Sequence, residues 1–167
     1  MYRLTFFFIL MVNTVTGQTY DMRNELVNRL HNAAEYTLAV LEKMPEQHLS
    51  FQPVEGVRTF AEIIQHIGES QLYTASQGIA VKQLKFKGKR NSKKDLKDFI
   101  EESYSLLFSA LDKITDQDLQ KKVRFWDGQA SVFKIMNFTI DHVTHHRGQA
   151  TIYLRMNGIK PPDYIGW

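Results

Sequence analysis

The segment Asp141-His142-Val143-Thr144-His145-His146-Arg147-Gly148-Gln149 lies deep inside the longest helical pattern of the chain, and its reading decides the fold. At about 100° per residue, His142 and His146 fall on one helix face, one turn apart, a spacing that suits two ligands of one metal ion. Outward from them, Val132, Ile135, Met136, Thr139, Val143, Ala150 and Tyr153 continue the same inward stripe. Ser131 can cap this helix, Gly158 can stop it, and Pro161-Pro162 prevents it from resuming. At about 1.5 Å per residue the element is roughly 40 Å long, the length of a bundle helix.

Three further helices are predicted. Leu26, Leu30, Ala33, Thr37, Leu41 and Met44 form the stripe of a first helix that begins near Asp21 and ends at Pro45. After a loop from Glu46 to Arg58, Thr59 and Glu62 make a capping box, and Ile63, His66, Ile67, Ser70, Tyr73 and Thr74 share the face of a second helix reaching about Gln77. From Ser92 to Thr115 a third helix carries Leu96, Phe99, Ile100, Ser103, Leu107, Ala110, Leu111 and Ile114 inward. The mixed segment from Asp116 to Gln129 reads as a loop with an Asp127-Gly128 turn, its aromatics Phe125 and Trp126 folding it onto one end of the molecule. With no strand pattern, internal repeat or low-complexity tract, the expected fold is an all-α four-helix bundle. Its long loops leave room for crossover connections.

The chain has 167 residues, 43% hydrophobic and 23% charged, as expected of one globular domain. Its net charge of +3 is too small to support nucleic-acid binding, although Lys82, Lys85, Lys87, Lys89, Arg90, Lys93 and Lys94 crowd one segment, which reads as a solvated loop and helix entry. Arg3, the apolar run Leu4 to Val12 and the small residues Val15-Thr16-Gly17 read as a secretory signal over 1–17, leaving 18–167 as an exported domain with no membrane attachment after cleavage. The chain has no cysteine, so disulfides, thiolate ligands and a cysteine nucleophile are excluded.

Two histidines in a core stripe are costly unless their nitrogens find partners. One metal ion would satisfy both, and His66 from a facing helix would supply a third neutral nitrogen, the usual number for a site that keeps positions open for water or substrate. A hydrogen-bonded core histidine is the alternative for His66. His145, at the edge of the stripe, is a surface residue, a supporting donor or a base, and Asp141 could orient it. Gly148 inside a helix suggests close approach by another element. Glu69, Tyr73 and Gln149 are candidate pocket residues, with core filling the alternative for Tyr73. Ser70, Ser103 and Thr139 leave either a cavity or close helix packing.

The segments RTFAEIIQHIGESQLY, FWDG and DHVTHHRGQATIYLRMNGIKPPDY resemble the DinB/YfiT-like superfamily over essentially the whole mature chain. That resemblance implies a four-helix bundle, often a homodimer, in which His66, His142 and His146 bind a divalent metal. Nickel or zinc is expected, iron or manganese less often, and His145 falls on a position not usually counted as a ligand. It also implies a small-molecule substrate. Relatives include transferases and an isomerase that use an exogenous low-molecular-weight thiol. The expected function is therefore a metal-dependent enzyme, thiol S-transferase-like or hydrolase-like, in which the metal activates a thiol or water against a small electrophile. A non-catalytic metal-binding bundle with a structural or stress-protective role is the alternative.

Overall fold

The computed structural model describes residues 21–165, so the expected signal segment, 1–17, lies outside the described residues. Four long helices, α1 (Met22–Lys43), α2 (Phe60–Ala75), α3 (Lys93–Leu111) and α5 (Val132–Met156), form the body, and a short helix, α4 (Asp116–Gln120), precedes the last. Their starts follow the sequence closely. Asp21, Thr59, Ser92 and Ser131 each accept a backbone N–H from the first turn, and Thr59 and Glu62 complete the reciprocal capping box. At the other end of α5, Gly158 takes φ +72, Ile159 N donates to Leu154 O and Gly158 N donates to Arg155 O, the Schellman arrangement that stops the helix.

The hydrogen bonds and packing contacts define how the helices run. Ser70 meets His142 while Arg58 meets Tyr153, so α2 and α5 are antiparallel. Gly68 lies against Phe99 and Gln71 donates to Ser103, so α2 and α3 are parallel. Arg23 bonds Leu111 while Lys93 bonds Glu42, which makes α1 and α3 antiparallel. Each of α1 and α2 packs on both α3 and α5, so sequence neighbours α1 and α2 are diagonal across the bundle. A parallel α2–α3 pair cannot be joined by a tight turn, and residues 76–92 travel back along α2 to connect them. This is the crossover that the loop lengths allowed for.

That geometry gives the basic run a place. Lys85 pairs with Glu69 of α2, Arg90 with Glu62 of α2, and Lys93 with Glu42 of α1. The Phe86 N–H also donates to Glu69, pinning the strap to the helix it runs beside.

The expected loop between α3 and α5 contains more structure than its sequence suggested. Besides α4, it holds an antiparallel hairpin of β1 (Lys122–Phe125) and β2 (Gly128–Ser131), with Phe125 opposite Gly128. The expectation of no strands is therefore corrected; each strand is only four residues long and β1 is half-buried at alternate positions, too little to make a visible period. Trp126, in the two-residue turn, adopts φ 52, a costly conformation for a bulky side chain. It is held by stacking on Phe125 and by an edge contact with Phe138 of α5.

One other expectation changes. Gly148 faces solvent, and a Cβ there would meet nothing within 4 Å, so no element approaches it. The close approach is at Gly68, where a Cβ would lie 2.4 Å from the ring of Phe99. Arg147, in contrast, is only 5% exposed. Its guanidinium lies 4.8 Å over the Tyr36 ring and donates to Ala33 O, tying α5 to α1.

These two glycines make opposite predictions. Gly68→Ala should destabilise by about 1–3 kcal/mol, because the confined Phe99 ring must move. Gly148→Ala should stabilise by about 0.5–1 kcal/mol through helix propensity alone. Urea denaturation of both variants checks the pair, and equal effects would overturn the packing described for α2 and α3.

Candidate metal centre

His66 sits in the first half of α2, and His142 and His146 sit one turn apart at the middle of α5. Because the two helices are antiparallel neighbours, all three imidazoles meet at one level of the seam. One ring nitrogen from each lies within 4.8 Å of the others. The ring centroids of His66 are 5.2 Å from His142 and 4.4 Å from His146.

The hydrogen bonds orient the rings. His146 Nδ1 donates to Gln149 Oε1 at 2.8 Å, which leaves the Nε2 lone pair of the neutral ring pointing into the seam. Across from it, His142 Nε2 is 3.3 Å away, while His142 Nδ1 contacts Ser70 Oγ at 3.2 Å. Neither nitrogen of His66 makes a hydrogen bond among the described residues. A shared proton between His142 and His146 would therefore serve only two of the three rings, whereas one cation could serve all three.

Electrostatics favours neutral imidazoles, the form that ligates. Burial lowers the proton affinity of His66, and the Arg58 guanidinium and the rings of His146 and His142 lower it further, pushing its pKa down to about 4 against an opposing pull from Glu69. Burial likewise lowers His142, with His146, His145 and Arg58 acting in the same direction. His146 is also lowered, by burial first, despite the Gln149 bond that favours its charged form.

Around the triad the expected pocket residues separate. Gln149 bridges His146 and the exposed His145, whose Nε2 is 3.3 Å from the Gln149 amide nitrogen. Glu69 lines the same 310 Å³ cleft as His66, but its oxygens accept from Phe86 N, Gln65 and Lys85. Tyr73 is 55% exposed and belongs neither to the core nor to the rings around the triad; near the end of α2 the inward stripe passes to Ser70 and Thr74, turning Tyr73 outward. Asp141 pairs with Arg29 and not with His145. Of the small residues, Ser70 touches the site, while Ser103 bonds Gln71 and Thr139 bonds its own helix.

Two further residues, Phe138 and Arg58, border the site. Phe138 stacks on His142 at 6.2 Å and carries the edge contact from Trp126, so an aromatic wall extends from the hairpin to the triad. Arg58 borders the cleft that holds His66. Its position immediately before the N-cap of the His66 helix was the available signal.

The bundle and site define a class, an all-helical protein with three imidazoles converging from two facing helices. Comparison with known proteins supplies the family. The DinB family model matches residues 11–165, and the chain belongs to the DinB family. The uncharacterized protein YrdA of Bacillus subtilis (strain 168) is 36% identical over 52 residues, a match spanning 31% of this chain and 31% of that relative. A DinB-like protein from Bacillus cereus, solved by crystallography, shares 22% identity and superposes with a TM-score of 0.71, covering 83% of this chain and 95% of that one. YfiT from Bacillus subtilis, described as a probable metal-dependent hydrolase with an unusual four-helix bundle topology, shares 14% identity with a TM-score of 0.57, covering 90% and 94%. At these identities the structural likeness is one of fold.

The lowered imidazoles predict a pH dependence for metal-stripped protein. Between about pH 4 and 6.5 the folded rings bind fewer protons than the unfolded chain, so stability rises with pH there and is lost on acidification. Thermal unfolding across this range should show a falling midpoint toward low pH, flattened in His66→Gln. Identical slopes for wild type and variant would argue against the described burial of His66.

Proposed function

We propose that His66, His142 and His146 hold one divalent metal ion, and that the protein is an enzyme using it to direct water or an exogenous low-molecular-weight thiol at a small electrophile. The supporting observation is the bonding pattern of the three rings, since His146 presents a fixed lone pair, His142 faces it and His66 has no other partner among the described residues. All-imidazole donors suit nickel and zinc, with iron or manganese as lesser candidates. When bound, such an ion lowers the pKa of a coordinated water or thiol and polarises an electrophile.

The chain's own groups then have definite tasks. Gln149 holds His146 in the tautomer whose Nε2 faces inward, and Ser70 steadies His142 from the other helix. Phe138 covers one face of His142 and limits water on that side. Glu69 is engaged by Lys85 and Phe86, so three protein ligands leave coordination positions for small molecules. His145, exposed and tethered by Gln149, is the candidate base at the rim. Export of the chain from about Gln18 onward belongs to the same proposal, and N-terminal sequencing of the mature protein tests it.

Elemental analysis after reconstitution is the primary experiment. Wild type should carry about one ion per chain, and His66→Ala and His142→Ala should lose it while remaining folded. Gln149→Ala should weaken metal affinity by about 10- to 100-fold. A wild type without stoichiometric metal, or ligand variants that retain it, would overturn the site. Screening the loaded protein for ester or amide hydrolysis and for thiol conjugation tests the enzymatic part; a loaded protein inert in both, with unfolding strongly shifted by metal, would instead support a structural role.

A further inference from the structure

We propose that Arg58 is the anion-recognition residue of this site, and that the molecule handled beside the triad is a small carboxylate with an apolar portion. The inference rests on the metal-site reading and adds the substrate class to it. Arg58 is the last residue before the capping box of α2, two helical turns ahead of His66. Its carbonyl accepts a hydrogen bond from Tyr153 Oη at 3.0 Å, and Tyr153 lies two turns beyond His146 on α5. The backbone of Arg58 is thus fixed relative to both ligand-bearing helices, while its side chain is exposed and makes no hydrogen bond or ion pair among the described residues.

The surrounding charges leave that guanidinium available. Glu62 accepts from Thr59 N and from Arg90, and Glu69 accepts from Phe86 N, Gln65 and Lys85. Both carboxylates near the cleft are therefore already matched by other partners. Arg58, Lys85 and Arg90 face Glu62 and Glu69, an excess of one positive charge before any metal arrives. A cation beside a divalent metal site weakens metal binding unless something negative joins them, and a substrate anion is the group that would. Arginine also offers two parallel N–H donors, the geometry that a carboxylate accepts.

Shape agrees with charge. Arg58 is shared by two clefts, the 310 Å³ cleft that reaches His66 and a 780 Å³ cleft walled by Val57, Ile152 and Tyr153. Val57 and Ile152 are exposed apolar side chains that line this cleft. A carboxylate on Arg58 would leave one end of a molecule toward the triad and its apolar part along Val57 and Ile152.

The test uses cobalt(II)-loaded protein and three thiols of similar size, 3-mercaptopropionate, 2-mercaptoethanol and cysteamine, with affinity read from the sulfur-to-cobalt absorption band. In wild type the anionic thiol should bind at least about tenfold more tightly than the neutral one, and the cationic thiol most weakly, as expected for one charge-assisted bond. Arg58→Gln should bring the anionic and neutral thiols within about twofold of each other without weakening cobalt binding, and Arg58→Lys should retain part of the preference. Equal affinities in wild type, a preference that survives in Arg58→Gln, or no band with 3-mercaptopropionate would overturn the inference while leaving the metal site standing. Failure to take up cobalt would overturn both.

Discussion

The rest of the structure depends on the seam between α2 and α5, where two antiparallel helices must bury an apolar interface and at one level enclose partly buried imidazoles instead. Above and below that level the interface is ordinary, with Ile63, Ile67, Val143 and Ala150 all buried. At the level of His66, His142 and His146 the polar nitrogens need partners, and Ser70 and Gln149 supply some of them. What remains is a converging set of ring nitrogens whose positions are fixed by the packing of the two helices. A bundle offers rigid backbone to such a set, which a loop would not.

The strap between α2 and α3 follows from the same arrangement. Parallel helices demand a connection as long as the helices themselves, and a long connection without secondary structure needs something to hold it. Here the holding is electrostatic and by amide donors, with Lys85, Phe86 and Arg90 reaching Glu69 and Glu62. The basic run is thus matched locally by acids on the bundle, in keeping with a chain whose net charge is only +3. Individually these exposed pairs contribute little to stability. Their collective effect is to engage the carboxylates of α2 and leave the three-imidazole site bordered by Arg58.

Much of this was legible from residue pattern. Thr59 with Glu62, Ser92, Ser131 and Gly158 mark helix ends because capping is local chemistry, decided within one turn. The face shared by His142 and His146 is equally local. The convergence of His66 on them is not local, and neither is the role of Arg58, which depends on a tyrosine hydroxyl in the last helix reaching back to its carbonyl. Gly148 and Gly68 show the limit clearly: both are glycines inside helices, and only the packing of Phe99 against one of them distinguishes a close contact from an open surface. The hairpin escaped notice because strands of four residues carry too few alternations to register. Arg147 is buried although charged, and what lets it fit is an aromatic face and a carbonyl on α1.

The separation of His66 from its partners along the chain has a consequence for the order of events during synthesis. Contacts across the site join residues 72 positions apart, as between Ser70 and His142. A ribosome that has completed α1, α2 and α3 has produced most of the apolar surface but only one of the three imidazoles, and a single exposed histidine has no special hold on a metal ion. On the proposed reading the chelate would come into being only when α5 closes the bundle, so metal capture and completion of the fold would be the same event. A growing chain would thereby be spared premature loading, and the ion finally taken up would be chosen by whatever is present where the last helix docks.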